Sequence, residues 1–532
     1  MKRFLKNTLI SYNKSMIGFL KRNKFELVVF FIIFLILGFF ASKTFLFYDD
    51  ITFCFSTITK DYLNFYKNYI KDYGFFRPLA LIYYFFIYNL YLILPRLTHL
   101  IPLALLTITS FLIFKVLSRQ GFNKKQSLVV SIFFLSLPFV TEAYSWLSAN
   151  TSIIVLFIFF FQIYLIEKNS IKKNLLKIIL TLQIISIFFY ESTIFMSFAL
   201  AYLLYIKGKV KNKLQLALFS IFPIFTYFIS KIVIPPQFEN RSKFISISEA
   251  FSHWQAFLSQ LKMLFSNNYL QNFWSLEFID GLSFIKSNAF ILILLISVFI
   301  LITFKLFKNE QDYEKKIPRS HMYFWSSAFI LSLIPLSWQT DYLPFRTLIL
   351  PILIFLICLI FIFNFISNNK KVKNILRLFI VPFKVIFIIM TIIFLIIQIS
   401  MINQYVSQFK YDNKIVLEIN KKLEDSGFEH PYRSNLLLKM VPNNNVGRLV
   451  YGDYIYGLFH NYWSAEALLD LNSGSFSKLG IEFSDENNFS SSVSKEDFLK
   501  LRPLTIMSFT DNQSCLRNEC LKVEAVYQNK YK

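Results

Sequence analysis

The sequence FELVVFFIIFLILGFFASKTFLF, residues 25–47, decides the fold class of this chain. About 20 consecutive apolar residues cross the hydrocarbon core of a bilayer as one helix. This stretch carries only Glu26 and Lys43 as charges. A basic segment precedes it and no small-residue cleavage site follows it, so we interpret it as a retained first span and not as a removed signal peptide.

The whole composition agrees with this first span. Of the 532 residues, 55% are hydrophobic, 66 are Phe, and only 17% are charged. An average soluble domain has about 25% charged residues. The composition therefore predicts a membrane protein of many spans and argues against a disordered chain or a soluble nucleic-acid binder. No nucleic-acid partner is expected.

The net charge of +24 is concentrated in a few places. Six short segments hold 28 of the 56 Lys and Arg residues with only five acids, a net charge of +23; they are residues 1–26, 115–126, 166–178, 206–214, 305–320 and 369–377. Lys and Arg are enriched in cytoplasmic loops. We interpret these segments as cytoplasmic and their charge as an orientation signal, not as a ligand surface.

These cytoplasmic segments fix the number of crossings by parity. The prediction is an all-α polytopic membrane bundle of about eleven transmembrane helices, with the N-terminus inside. The predicted spans are 25–47, about 98–115, the two arms of 127–166, the two arms of 174–206, 214–234, 289–306, 322–337, 346–367 and about 380–401. The apolar stretch 77–94 would be an interfacial or re-entrant helix, because a full span there would put 115–126 outside.

The predicted domains follow from this topology. Residues 1–26 form a cytoplasmic N-terminus and 27–401 the membrane domain, with outer loops at 48–97 and 235–288. Residues 402–532 form an extracytoplasmic domain of mixed α/β character, with strand candidates at 448–456, 504–509 and 521–527. Cys515 and Cys520 would form a disulfide only if this domain is extracytoplasmic. An amphipathic stretch at 249–265 would either lie on the membrane or pack under that domain.

A few ionisable residues fall at the predicted outer face, where each needs a reason because charge at membrane depth is costly. These residues are Asp49, Asp50, Arg77, Glu142, Glu191, Asp341 and Arg346. Each has an ordinary alternative, such as a solvated loop start for the Asp pair, a snorkelling Arg77 or a turn cap at Glu142. Together they predict a polar cavity at one mouth of the bundle. Glu191 lies at a hairpin tip whose arms are about 16 residues each, so we expect it below the outer surface.

The order of these motifs resembles the GT-C superfamily of integral membrane glycosyltransferases. The resemblance lies in residues 1–350: an acidic pair at Asp49-Asp50, then Arg77-Pro78-Leu79, then the segment from Pro138 to Ala143, then Tyr190-Glu191, then Pro344-Phe345-Arg346. The pattern looks most like bacterial O-antigen glucosyltransferases and tetratricopeptide-linked O-mannosyltransferases. It departs from them in two ways, because Tyr190 replaces a basic residue and no tetratricopeptide repeat follows.

The resemblance implies a sugar transferase at the outer face of the bacterial cytoplasmic membrane. Its partners would be a polyprenyl-phosphate-linked sugar donor, a glycan or lipid acceptor, and membrane lipids. Asp49 or Asp50 would be the general base for an acceptor hydroxyl, and Arg77 and Arg346 would bind the phosphate. Glu142, Glu191, Trp146 and Asp341 complete the expected substrate-binding set. Any divalent cation, Mg²⁺ or Mn²⁺, would be held by Asp49, Asp50 and Glu142.

Two other functions remain open from the sequence. An O-antigen ligase or polymerase would place its arginines and a histidine in one large late outer loop. Here the main candidate residues are the acids of the first outer loop, which favours the GT-C resemblance. A transporter would show two similar halves and polar residues at the bilayer midplane. The sequence shows neither, and its polar residues cluster towards one face.

Overall fold

The computed structural model describes most of the membrane region and, in the C-terminal region, four strands. The described residues are 21–44, 46, 49–58, 62–64, 66–67, 77–168, 174–233, 255, 258, 262, 266–267, 270–307, 318–335, 345–367, 370–425, 435–439, 481–484, 504–509 and 521–527. For part of these, including Asp49 and residues 345–346, 363–367 and 370–384, only the backbone is described.

The described membrane region is helical. Its helices are α1 (Lys24–Ala41), α2 (Asp49–Ile58), α3 (Pro78–Ile93), α4 (Leu100–Arg119), α5 (Lys124–Ser136), α6 (Thr141–Ser145), α7 (Thr151–Glu167), α8 (Leu175–Phe189), α9 (Met196–Ile206), α10 (Lys213–Val233), α11 (Ser275–Lys286), α12 (Ala289–Phe307), α13 (Arg319–Leu333), α14 (Phe345–Ser367) and α15 (Lys370–Asp425). A helix satisfies its own backbone hydrogen bonds, which is the condition for crossing lipid.

Six of the described helical segments are long and apolar enough to cross a membrane, and the bent pair α5–α6 would make a seventh. They are Lys24–Ala41, Pro95–Arg119, Leu147–Glu167, Lys213–Ser230, Ala289–Phe307 and Val385–Asp425. The chain is therefore a helical membrane protein. Shorter helices lie at the other predicted crossings: α8, α9, α13, and Thr347–Ile362 within α14. Helix α3 is also among the shorter apolar helices, and its interfacial position stays a prediction.

The predicted hairpin 127–166 contains a sharp break before its tip. Because the loop 48–97 is the first predicted outer segment, this hairpin and its tip are called the second hairpin and the second tip below, and the hairpin 174–206 and its tip the third. Helix α5 ends at Ser136, and Leu137 is extended (φ −61°, ψ 128°) because it precedes Pro138. The chain then turns by 55° into the short helix α6. The segment from Pro138 to Asn150 is thus folded back among the helices, and nearly all of its side chains are buried.

One end of the bundle collects five of the six basic segments. At this end Lys115 donates a hydrogen bond to Asn23 Oδ1 (2.7 Å) and Lys305 lies over the ring of Phe25 (5.5 Å). Glu167 at the end of α7 pairs with Lys207 Nζ at 2.5 Å. The segments predicted to be cytoplasmic therefore lie together.

A buried network stabilises this end. Gln120 donates to Glu167 (3.2 Å) and accepts from Trp325 Nε1 (2.7 Å), while His321 Nε2 lies 3.3 Å from the same carboxylate. These contacts tie together the ends of α4, α7, α9 and α13.

The C-terminal region begins without a break in the helix. Helix α15 runs through the predicted boundary at 401/402 and ends at Asp425. Beyond it, four strands form one sheet in the order β2-β1-β3-β4: β1 (Asn435–Lys439), β2 (Ile481–Ser484), β3 (Leu504–Phe509) and β4 (Leu521–Tyr527). Strand β1 is parallel to β2 and β3, and β3 pairs with β4 in antiparallel register.

Strands β3 and β4 match two of the three predicted strands. The third candidate (448–456), Cys515 and Cys520 lie outside the described residues, as does most of the amphipathic stretch 249–265.

Candidate functional site

The loop after α1, predicted to be the first outer loop, is held to the second hairpin tip by Asp50. Its side chain is completely buried. Oδ1 accepts hydrogen bonds from the Tyr88 hydroxyl (2.6 Å) and the Ser148 N–H (2.8 Å), and Oδ2 accepts one from the Leu147 N–H (3.1 Å). An ionised carboxylate is the natural acceptor for three converging donors. Asp50 therefore fixes the tip backbone against α2 and α3.

The tyrosines of α3 continue this contact. The Tyr84 hydroxyl donates to the Ser148 carbonyl (2.5 Å), and Asn150 Nδ2 donates to the Tyr83 hydroxyl (3.3 Å). Phe53 of α2 stacks on Tyr88 with ring centroids 5.8 Å apart. Helix α3, predicted to be interfacial, therefore lines the site and is not a separate surface element.

The third tip, which belongs to the hairpin 174–206, is held by an ion pair. Arg77, directly before α3, donates Nε to Glu191 Oε2 (2.7 Å) and Nη2 to Glu191 Oε1 (2.5 Å). The guanidinium group also lies 4.5 Å from the centroid of the Tyr190 ring. Such a two-bond pair fixes both position and plane. Arg77 and Glu191, 114 positions apart in the chain, thus meet as the predicted common face requires.

The second and third tips are each also bound by a glutamine that lies within an apolar helix. Gln398 of α15 donates to the carbonyls of Leu135 (3.0 Å) and Leu137 (2.9 Å) and accepts from the Tyr144 hydroxyl (2.9 Å). It therefore satisfies carbonyl groups at the break before Pro138.

Gln183 of α8 has the same role at the third tip. It donates to the Thr193 carbonyl (2.7 Å), and Ser186 and Thr193 share a hydroxyl contact of 2.8 Å. Buried backbone groups that lack a partner are costly, so the two glutamines stabilise both tips.

Glu142 and Trp146 lie within the second tip, and both are buried. Trp146 packs in an apolar cluster with residues of α13, α14 and α15, including Leu333, Leu348 and Tyr405. The late helices therefore reach the second tip. Arg346 lies at the start of α14, two positions before Leu348, so its backbone is near this cluster.

Three of the predicted site positions lack a described side chain. Asp341 lies outside the described residues, and the structure describes only the backbone of Asp49 and Arg346. The structure brings Asp50, Arg77, Glu142, Trp146 and Glu191 to one end of the bundle, and the role assigned to each stays a prediction. Asp49 begins α2, adjacent to Asp50.

The electrostatics of the described site keep its weaker acids protonated. Burial, together with the charge of Asp50, raises the pKa of the Cys54 thiol to about 12. Burial and the same carboxylate raise the pKa of Tyr88 well above its ordinary value. The Tyr88 hydroxyl therefore remains a donor to Asp50, and Cys54 is not a thiolate nucleophile near neutral pH.

The described residues contain no group of three or more His, Cys, Asp or Glu side chains suited to a metal ion. Oδ1 of Asp50 accepts two hydrogen bonds and Oδ2 accepts one. The cation predicted at Asp49, Asp50 and Glu142 stays a prediction, because the side chain of Asp49 is not among those the structure describes.

Sequence reasoning missed Tyr88, Gln183 and Gln398. The two glutamines had a readable signal, because an amide within a run of Ile, Leu and Phe needs a partner at membrane depth. Tyr88 had none, since α3 contains several tyrosines and only the fold selects one of them for Asp50.

Taken together, the described helices and this polar end define a polytopic membrane protein with a polar site between its first loop and two re-entering tips. Comparisons with protein-family models, curated proteins and solved structures found no match to this chain.

Proposed function

We propose that the protein is a glycosyltransferase. It moves a sugar from a polyprenyl-phosphate donor to a hydroxyl of a surface glycan or lipid at the outer face of the bacterial cytoplasmic membrane. The observation that supports this proposal is the meeting of the first outer loop with two hairpin tips, through Asp50 with Leu147–Ser148 and through Arg77 with Glu191. These contacts join segments that carry four of the five motifs of the family resemblance and that are far apart in sequence.

We assign two different roles to the acidic pair. Asp50 is buried and its oxygens already accept three hydrogen bonds, so an acceptor hydroxyl does not reach it. Asp49, the neighbouring residue at the start of α2, is the proposed general base. In the transfer step it accepts the hydroxyl proton, the acceptor oxygen bonds to the sugar C1, and the C1–O bond to phosphate breaks with release of polyprenyl phosphate.

The remaining residues bind the two substrates. Arg77 and Arg346 hold the phosphate oxygens, since a guanidinium fork matches phosphate geometry. Glu142 and Glu191 hold sugar hydroxyls, with Trp146 and Asp341 completing the set. Any Mg²⁺ or Mn²⁺ would be held by Asp49, Asp50 and Glu142.

The proposed topology has eleven spans, the N-terminus in the cytoplasm, and an α/β domain outside. Its support is that five basic segments gather at one end of the bundle and the candidate site forms elsewhere, among the predicted outer segments. A reporter fused after Leu90 should read as outside and one after Gly121 as inside. A cytoplasmic signal at Leu90 would refute this topology.

The function is tested by analysis of the glycans and lipids of a deletion strain. We expect loss of one sugar from a surface glycan or lipid and accumulation of the polyprenyl-phosphate donor. Restoration of that sugar by the wild-type gene but not by a gene carrying Asp49→Asn would connect the loss to this site. Unchanged glycans and lipids in the deletion strain would contradict the proposal.

A further inference from the structure

We propose that Glu191 is an internal competitor of the donor phosphate. In the ligand-free protein its carboxylate occupies the guanidinium edge of Arg77 that the polyprenyl phosphate takes during binding. The inference rests on the proposed function, because it assigns a regulatory contact to the same site. Donor binding then exchanges one anion for another and releases Glu191 towards the sugar.

The first support is the geometry of the ion pair. Arg77 presents Nε and Nη2 side by side, and the two Glu191 oxygens accept one bond from each (2.7 and 2.5 Å). A phosphate group offers two oxygens to the same fork. The two ligands therefore compete for one set of donors.

The second support is accessibility. The side chains of Arg77 and Glu191 are 16% and 18% exposed, in contrast to the fully buried Asp50. An incoming anion can therefore reach the pair without unfolding of the tip. The ring of Tyr190 lies against the guanidinium group and keeps it in place when the carboxylate leaves.

The third support concerns the lipid attached to the phosphate. Helices α3 and α10 both pack against α8, the helix that ends one residue before Tyr190. Both expose large apolar side chains, among them Ile82 and Phe86 of α3 and Phe225 and Ile229 of α10. An isoprenoid chain would lie on these apolar surfaces, and this favours a lipid-bound phosphate over the free ion.

The charges predict the direction of a single substitution. If Glu191 stayed ionised beside the bound phosphate, the two anions would repel each other. Glu191→Gln removes this competition, and an amide oxygen is a weaker partner for Arg77 than a carboxylate. We therefore expect Glu191→Gln to bind a polyprenyl phosphate about five- to twentyfold more tightly than the wild type, and Arg77→Gln to bind it at least tenfold more weakly.

The experiment measures dissociation constants with the purified full chain in lipid nanodiscs. The probes are a sugar-free polyprenyl phosphate, the corresponding polyprenol and inorganic phosphate. Glu424→Gln removes the same charge from an exposed position of α15 and should bind all probes as the wild type does. Glu191→Asp keeps the charge but shortens the side chain, so it should show a smaller gain in the same direction and serves if Glu191→Gln does not fold.

Equal or weaker binding of the polyprenyl phosphate to Glu191→Gln would overturn the inference, even if the wild type transfers sugar. An equal gain for inorganic phosphate would overturn the assignment to a lipid phosphate. A gain with polyprenyl phosphate alone, in a protein that transfers no sugar, would support the exchange and refute the proposed glycosyltransferase activity. Absence of binding to the wild type and every variant would refute both.

Discussion

At position 50 a carboxylate accepts hydrogen bonds from one tyrosine hydroxyl and two backbone N–H groups, with no exposed surface. Charge-assisted bonds of this kind are roughly twice as strong as neutral ones. Asp50 therefore holds the tip, and in the proposed mechanism it is a positioning residue. Asp49 is the residue of the pair that we propose for proton transfer.

Asp50→Asn should lower stability. The asparagine NH₂ group would face an N–H or O–H donor, so at least one of the three hydrogen bonds is lost and a donor is left without a partner. We expect a loss of about 1–3 kcal/mol in the free energy of unfolding. Thermal unfolding of the purified protein in detergent measures this loss as a lower melting temperature.

Asp49→Asn is the matched control for this measurement. It makes the same chemical change one position earlier and should melt within about 0.5 kcal/mol of the wild type. Equal melting of Asp50→Asn and wild type would contradict the positioning role. A loss for Asp49→Asn as large as that for Asp50→Asn would show that the two carboxylates are not distinguished by the fold.

The sequence identified both aspartates but could not separate them. Two adjacent carboxylates after a span have the same composition signal, and the donors that distinguish Asp50 are mainly the backbone N–H groups of Leu147 and Ser148. Backbone donors are present at every non-proline residue, so the residue types at 147 and 148 do not indicate that their N–H groups bind Asp50. The pairing of Arg77 with Glu191 was predicted only as a common face, not as a contact.

At the scale of the secondary-structure elements, Gln398 joins the last long helix to the broken second hairpin. It bonds two carbonyls at the break and one tyrosine hydroxyl, and is fully buried. The long helix α15 continues from this point to Asp425. The same helix therefore supports the second tip and extends towards the C-terminal strands.

Gln398→Leu should destabilise the second tip. Leucine has a similar size but leaves the Leu135 and Leu137 carbonyls and the Tyr144 hydroxyl without their partner. We expect a loss of about 2–4 kcal/mol in unfolding free energy, because each buried group that loses its partner costs about 1–3 kcal/mol and such losses are not additive. Thermal unfolding in detergent is the measurement.

Thr391→Val is the control in the same helix. Thr391 is also fully buried, but its hydroxyl bonds only to the Phe387 carbonyl within α15 (2.9 Å). It should therefore melt close to the wild type. Tyr144→Phe removes one of the three bonds and should fall between the two. If Gln398→Leu melts like Thr391→Val, the anchor does not stabilise the tip.

The elements themselves were largely predictable. Apolar runs located the long helices, and alternating patterns located β3 and β4, because hydrophobic periodicity depends only on local sequence. The short arms of the third hairpin also followed from counting residues between basic loops, and α8 and α9 are indeed short. The 55° break and its glutamine anchor were not predicted, since a proline shows where a helix ends but not which distant side chain satisfies it.

At the scale of the whole molecule, three of the basic segments meet at the buried carboxylate of Glu167. It pairs with Lys207 and receives one hydrogen bond from Gln120, with His321 beside it. The charge excess is therefore not only an orientation signal. At Lys207 it also forms part of the packing between helices.

Two lysines of one loop separate these effects. Lys207→Gln and Lys211→Gln each remove one positive charge from the segment 206–214, but only Lys207 contacts Glu167, and Lys211 is exposed. We expect Lys207→Gln to lose about 1–3 kcal/mol of unfolding free energy, because the substitution leaves the buried carboxylate of Glu167 without its cation. Lys211→Gln should remain within about 0.5 kcal/mol of the wild type.

Melting in detergent again gives the comparison. Orientation reporters should read alike in both variants, because the remaining loop charge is the same. Equal melting of the two variants would show that Lys207 serves orientation alone.

Loop charge predicted which segments share an end because charge bias acts on the molecule as a whole. It could not predict the partner of each charge, since pairing depends on how the helix ends pack. Both positions are lysines of the same loop, and only the folded structure shows that Lys207 contacts Glu167 whereas Lys211 is exposed.

The central claim is sugar transfer that depends on Asp49, and reconstituted protein tests it most directly. Wild type, Asp49→Asn and Glu424→Gln would be incorporated into liposomes with a polyprenyl-phosphate sugar labelled in the sugar, and an acceptor extract from the deletion strain. The account predicts labelled acceptor with wild type and Glu424→Gln, and at least a hundredfold less with Asp49→Asn, in keeping with loss of a general base. Full transfer by Asp49→Asn, or no labelled acceptor with the wild-type protein, would contradict it.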